Sequence, residues 1–182
     1  MKSGEGMGMN RRTFLGSTAT AVIAAGTMAK GKVFGANARV RVACIGTGGR
    51  GKDHVRFYSQ HECSEVTAIC DVNQNVREGM AKKLAEETGK TPFITADMRE
   101  IMGRDDVDAI STATPNHWHT LTAIWACQAG KDVYVEKPLS HTLWEGRQLV
   151  AAQQKYGRIV QHGTQSRSNL TWIRDIKLMR EG

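Results

Sequence analysis

Cysteine is scarce in this chain and badly spaced for metal. The 4 cysteines, Cys44, Cys63, Cys70 and Cys127, include no C-x-x-C pair, which argues against a zinc site. Cys44 and Cys70 sit inside apolar, strand-like runs and read as core fillers. No disulfide connectivity follows from the spacing. Aromatic residues are only 6% and form no stripe interleaved with basic residues, so the net charge of +7 does not describe a nucleic-acid face. That charge is also uneven: residues 1–38 hold Lys2, Arg11, Arg12, Lys30 and Lys32 against Glu5 alone, which is +4 of the total. Long apolar runs are missing too, and the chain carries no internal repeat or low-complexity segment. What is present, 40% hydrophobic and 24% charged residues in 182, suits one globular domain with a sizeable core.

The first 38 residues read as a leader rather than as fold. "NRRTFLGSTATAVIAAGTM" places Arg11 and Arg12 before Phe14 and Leu15 and then runs through small and apolar residues. It resembles a twin-arginine export signal, with Asn10 and Gly16 replacing the usual first and last positions. The apolar stretch is short of the ~20 residues a membrane span needs and is interrupted by Gly, Ser and Thr, so no stable membrane anchor is expected. Ala36–Asn37–Ala38 has the small-x-small form of a cleavage site. The resemblance implies the twin-arginine machinery as a partner and a periplasmic or secreted destination.

From residue 39 strand-like and helix-like patterns alternate. "RVRVACIG" (39–46) and "EVTAICD" (65–71) predict strands. Val76, Met80 and Leu84 recur every four residues and mark a helix face that stops at Thr88–Gly89. "PFIT", "VDAISTA" (107–113), "DVYVE" and "RIVQHG" (158–163) predict four more strands. Leu121, Ile124 and Trp125 predict the buried face of a helix after the fourth. Thr142 and Glu145 predict a capping box on a helix that runs to about Tyr156. Such alternation predicts an α/β fold, a doubly wound parallel sheet of Rossmann type.

"GTGGRG", Gly46 to Gly51, carries the first chemistry. Gly46, Gly48 and Gly51 fit G-x-G-x-x-G, with Thr47, Gly49 and Arg50 completing the loop. The pattern alone is weak, but here it follows a predicted strand and opens a predicted helix. Asp71 ends the next strand, 20 residues beyond Gly51, where a carboxylate accepts hydrogen bonds from the adenosine ribose. The glycines let backbone approach a pyrophosphate, and the helix N-terminus offers free N–H groups to its charge. An Asp here favours NAD, because it repels a 2′-phosphate; Arg50 and Arg77 can offset that repulsion, so NADP stays open.

"ATPNHWH" closes the fourth predicted strand. Carboxyl ends of parallel strands are where ligands bind, so Thr114, Pro115, Asn116 and His119 are expected to line the cofactor. Pro115 and Asn116 make a turn, with Asn116 the expected helix cap. His117 and His119 have no third ligand nearby, and an i,i+2 pair does not share a helix face; no metal is expected. The fifth strand ends on Glu136–Lys137–Pro138, which the parallel sheet delivers to the same crevice. By themselves these residues also suit a surface ion pair.

Together "GTGGRG", "CD", "ATPNHWH", "YVEKPLS" and "VQHGTQSR" resemble the Gfo/Idh/MocA oxidoreductases in order and spacing. The likeness covers residues 39–182. It implies a nicotinamide cofactor, a sugar, cyclitol or related polyol substrate, and Lys137 beside the nicotinamide and the reacting carbinol. It also implies a Pro138 that is often cis and cofactor contacts from Glu136 and Gln165, with Arg167 a further candidate. A lysine there stabilises developing alkoxide charge, and desolvation is expected to depress its pKa as a proton relay requires. Some exported relatives instead cleave glycosides through transient oxidation by bound NAD, and a non-catalytic dinucleotide-binding module is a third reading. The expected division is a leader at 1–38, a nucleotide domain at 39–167, and the start of a substrate domain at 168–182. The catalytic Asp and His usual in that second domain do not appear before Gly182. The chain as given is therefore expected to bind a dinucleotide without turning over substrate. A homo-oligomer is compatible with a full-length form.

Overall fold

In the computed structural model, residues 39–182 are described; the predicted export signal lies outside them. Six strands form one parallel sheet: β1 (Val40–Ile45), β2 (Ser64–Cys70), β3 (Phe93–Thr95), β4 (Ala109–Thr112), β5 (Asp132–Glu136) and β6 (Val160–Gly163). Their spatial order is β3-β2-β1-β4-β5-β6. The order reverses between β1 and β4, which opens a crevice at their carboxyl ends. Helices α1 (Gly51–Gln60), α2 (Gln74–Thr88), α3 (Met98–Met102), α4 (Asn116–Gln128) and α5 (Leu143–Tyr156) connect the strands. A 3-10 turn at Gln165–Ser168 leads into α6 (Leu170–Glu181).

Both sheet faces are covered, so β1 is buried at consecutive positions rather than alternating with solvent. Val42 and Cys44 pack with Val55, Val66, Ile69, Ala81 and Leu84 under α1 and α2. Ala43 and Ile45 point the other way and join Ile110, Val133, Val135 and Leu149 under α4 and α5. Cys44 and Cys70 fill core positions, where burial pushes each thiol up to about 12 and leaves it inert.

Helix ends follow local chemistry. Asn73 caps α2 and Gly89 ends it in the left-handed conformation, φ 71°. Thr142 Oγ1 accepts from the Glu145 amide while Glu145 Oε2 accepts from the Thr142 amide, the expected capping box. Helix α4 departs from expectation twice. Asn116 is its first residue and not its cap; Pro115 holds the cap position without a side-chain bond. Its buried face is His119, Thr120, Thr122, Ala123, Ala126 and Cys127, while Leu121 is exposed. Small residues let the helix lie close to the sheet, and the threonine hydroxyls find partners in Leu139 O and Met98 Sδ. Helix α6 forms with Asn169 as its cap, but Leu170, Ile173, Ile176 and Met179 are all exposed. No helix of the described residues is long and apolar enough to cross a membrane.

Candidate dinucleotide-binding site

The glycine loop occupies the crevice between β1 and β4, and its glycines divide by what surrounds them. Gly46 has φ +78°, and a Cβ there would lie 2.8 Å from the Thr114 amide nitrogen. A Cβ on Gly51 would collide with the Gly46 carbonyl, 2.9 Å from its carbon. These two positions are fixed by the protein's own packing. Gly48 and Gly49 differ. A Cβ on Gly48 would meet nothing closer than Asp71 Oδ2 at 3.8 Å, and one on Gly49 would meet nothing within 4 Å. The protein does not need glycine there for itself, so the loop fits a ligand whose phosphates come against bare backbone. Helix α1 starts behind it without a side-chain cap on Arg50, leaving its N-terminus to such an anion.

A groove of about 770 Å³ runs from this loop along the carboxyl ends of β2, β3 and β4. Gly46, Gly48, Gly49, Asp71, Thr114 and Pro115 line it. Asp71 is held in place from both sides: Oδ2 accepts from the Thr47 amide at 2.8 Å and Oδ1 from the Asn73 amide at 3.0 Å. Thr47 is fully buried, so its contribution is this amide clamp on Asp71. Arg77 donates to the Asp71 and Val72 carbonyls. Sequence reasoning missed the far wall, where Asp97, Arg99 and Trp118 stand, with Trp118 6.4 Å from the ring of Trp125. The signal was available: Asp97 follows β3 and Trp118 lies within "ATPNHWH", both just beyond carboxyl strand ends.

The paired histidines have separate fates. His117 is exposed. His119 is buried at 1% exposure behind the groove, with Nε2 2.8 Å from the Thr114 carbonyl oxygen and Nδ1 2.6 Å from that of Pro138. It joins the fourth-strand loop to the Lys137 turn and does not line the groove. Among the described residues no group of three or more His, Cys, Asp or Glu is disposed to hold a metal.

At the end of β5 the charged pair splits. Glu136 is only 4% exposed, whereas Lys137 is exposed and precedes a cis peptide bond to Pro138. Glu136 Oε1 accepts from Gln165 Nε2 at 2.6 Å, His54 Nε2 at 3.1 Å and Arg50 Nε at 3.3 Å, while Oε2 accepts from the Lys137 amide at 3.0 Å. Burial alone would raise this carboxyl's pKa. Hydrogen bonds from His54, the Lys137 amide and Arg50 more than offset it, so the group stays below the usual carboxylate range. Glu136 and Gln165, both expected to touch the cofactor, are hydrogen-bonded to each other, and Glu136 also accepts from Arg50. The desolvation expected around the Lys137 ammonium is not supplied by the described residues.

A parallel sheet, a G-x-G-x-x-G loop at its reversal point and a clamped acidic residue ending the next strand define a dinucleotide-binding Rossmann domain. The chain belongs to the oxidoreductase family with an NAD-binding Rossmann fold known as Gfo/Idh/MocA, whose model matches residues 40–164. It is 39% identical over 129 residues to an inositol 2-dehydrogenase/D-chiro-inositol 3-dehydrogenase of Shouchella clausii, covering 68% of this chain and 35% of that protein. It is 36% identical over 115 residues to a glycosyl hydrolase family 109 protein of Shewanella sp. (strain ANA-3), covering 61% of this chain and 25% of that one. The crystal structure of myo-inositol 2-dehydrogenase from Lactobacillus plantarum superposes with a TM-score of 0.69 at 23% identity, over 79% of this chain and 42% of that one, and shows the shared fold. The chain therefore spans about a third or less of the length of these curated relatives.

Proposed function

We propose that this chain is the nucleotide-binding half of an exported oxidoreductase that passes hydride between nicotinamide and a sugar, cyclitol or related polyol, with NAD favoured over NADP. One observation carries the reading: the clamped Asp71 carboxylate stands on the same groove as the open backbone at Gly48 and Gly49. A pyrophosphate against those glycines directs its adenosine ribose toward Asp71, which accepts its hydroxyls and repels a 2′-phosphate. Arg50 is committed to Glu136 and Asp53, and Arg99 to Asp97, so neither is a free partner for that phosphate.

Nicotinamide, when bound, supplies the hydride acceptor. Lys137 leaves the carboxyl end of β5 with its side chain exposed, able to reach a substrate held over the crevice. Lys137 would hydrogen-bond the reacting oxygen and, as the neutral amine, take the hydroxyl proton as the hydride departs, becoming the ammonium that would stabilise charge on that oxygen. A substrate domain completes the pocket and excludes water. Inositol dehydrogenase among the relatives supports a polyol substrate. The glycosyl hydrolase relatives, at 36% identity, favour a second reading in which the same hydride step is transient and a glycoside is cleaved.

Titration of the chain with NADH and NADPH tests the cofactor; binding of neither removes the assignment. In a longer form carrying a substrate domain, polyol-dependent reduction of added NAD marks a dehydrogenase. Glycoside cleavage without net NADH marks the hydrolase. Export rests on Arg11 and Arg12: replacing both with Lys is expected to leave a precursor uncleaved in the cytosol, and an exported, processed lysine variant removes that part of the reading.

A further inference from the structure

His54 lies outside every motif that sequence reasoning singled out, yet it touches the centre of the Lys137 turn. It sits in the first turn of α1 at 4% exposure, with Tyr134 edge-on to its ring at 5.3 Å and 86°. Nε2 is 3.1 Å from Glu136 Oε1, and Nδ1 is 2.8 Å from Ser111 Oγ in β4. An ionised carboxylate only accepts, so Nε2 carries the proton that is donated to Glu136. Burial pushes the imidazole's pKa below its usual value, against the pull of Glu136. The ring is therefore neutral at neutral pH, Nδ1 is an acceptor, and Ser111 donates its hydroxyl proton to it. The His54 contact with Glu136 is then a hydrogen bond to a charge rather than an ion pair.

Through Glu136 this line of bonds reaches two segments. Arg50 Nε donates from the glycine loop at 3.3 Å, and the Lys137 amide donates from the turn at 3.0 Å. Burying a carboxylate is expensive, and a packed apolar group in its place commonly serves stability as well or better. What an apolar group does not supply is a fixed acceptor shared by the loop and the turn. We infer that His54 is a positioning residue: by holding the Glu136 carboxylate in one orientation, with Ser111 anchoring the far side of its ring, it sets the glycine loop and the backbone of Lys137 relative to each other. The consequence at Lys137 rests on the function proposed above; the positioning itself does not.

Amide hydrogen exchange and histidine side-chain NMR on the whole chain, without cofactor, test this directly. Long-range 15N–1H spectra at neutral pH are expected to show His54 protonated on Nε2 alone; a ring protonated on Nδ1 alone overturns the inference whatever any variant does. In His54→Leu the Lys137 amide is expected to exchange roughly tenfold or more faster, the scale of a lost bond to a charged acceptor, while Ile110 in the sheet centre keeps its rate. His54→Gln, which restores a donor to Glu136, is expected to return Lys137 most of the way. Equal acceleration of Lys137 and Ile110 in His54→Leu, or no recovery with Gln, means a merely structural histidine. Should the Leu variant not fold, Ser111→Ala provides the second arm: the ring keeps its Nε2 proton for Glu136 but loses its Nδ1 anchor, and Lys137 exchange is expected to rise; unchanged Lys137 exchange there overturns the inference. NADH titration of the same samples separates the two questions, since wild-type protein that binds no NADH contradicts the proposed function and leaves the exchange results standing.

Discussion

Within six residues the glycine loop contains two kinds of glycine, and they teach different things. Gly46 and Gly51 are glycines because the protein has no room: one has a positive φ against β4's end, the other rides on the first one's carbonyl. Gly48 and Gly49 have space that no protein atom uses. The first pair belongs to folding and the second to a ligand, although one six-residue loop holds all four. The same division recurs at β5, where Glu136 is turned inward and bonded and Lys137 is turned outward and exposed.

Gly51→Ala is expected to have the largest effect. The added carbon strikes backbone that cannot swing aside, so destabilisation of about 3 kcal/mol or more is expected, at the upper end for overpacking. Denaturant titration checks it; a variant as stable as wild type removes the distinction. Asp71→Ala comes next. It strips the acceptor from the Thr47 and Asn73 amides as well as from a ribose, so a stability loss of about 1–3 kcal/mol is expected. NAD affinity is expected to fall more than NADP affinity, and equal losses in parallel calorimetric titrations would show that Asp71 does not read the ribose.

Acidification probes the inward half of the β5 pair. His54 has a folded pKa below its ordinary value, so its contribution is present above about pH 6.5 and is lost as pH falls below that. Glu136 is also held below its ordinary value, so its contribution persists into the carboxylate range and is lost as pH drops through the folded value. Both signs agree: the melting temperature is expected to fall on acidification from pH 7. His54→Gln is expected to flatten the first part of the decline. A melting temperature that rises between pH 7 and 5 contradicts the His54 assignment.

The smallest effect on binding is expected from the outward half. Lys137→Met is expected to leave NADH affinity within about threefold, because the ammonium is exposed and outside the groove lining. In a form that turns over, the same change is expected to cost ~10²–10⁴ in rate, the range for lost acid–base assistance. Steady-state kinetics beside the titration separate the two.

Much of this was legible in the sequence because it is local or periodic. All six strands, the parallel class, the capping box at Thr142 and the stop at Gly89 follow from patterns that neighbouring residues complete among themselves. The buried face of α4 was not legible, because a helix pressed against a sheet favours Thr, Ala and Cys over the larger Leu121. Nor was the fate of Glu136. Its four donors come from Arg50, His54, Lys137 and Gln165, scattered along the chain and brought together only by β5's place beside β4 and β6. Asp97 and Trp118 carry a fainter signal: each stands just beyond a carboxyl strand end, but neither residue type there points to a dinucleotide by itself.

Calorimetric titration of wild type and Gly48→Val with NADH, beside thermal melts of both, tests the central claim most directly. The claim is that the space over Gly48 is reserved for a dinucleotide and not for the fold. The account predicts melting temperatures within a few degrees of each other and an NADH affinity reduced by roughly tenfold or more, the scale of a displaced phosphate contact. An unchanged affinity in the folded valine variant would contradict it.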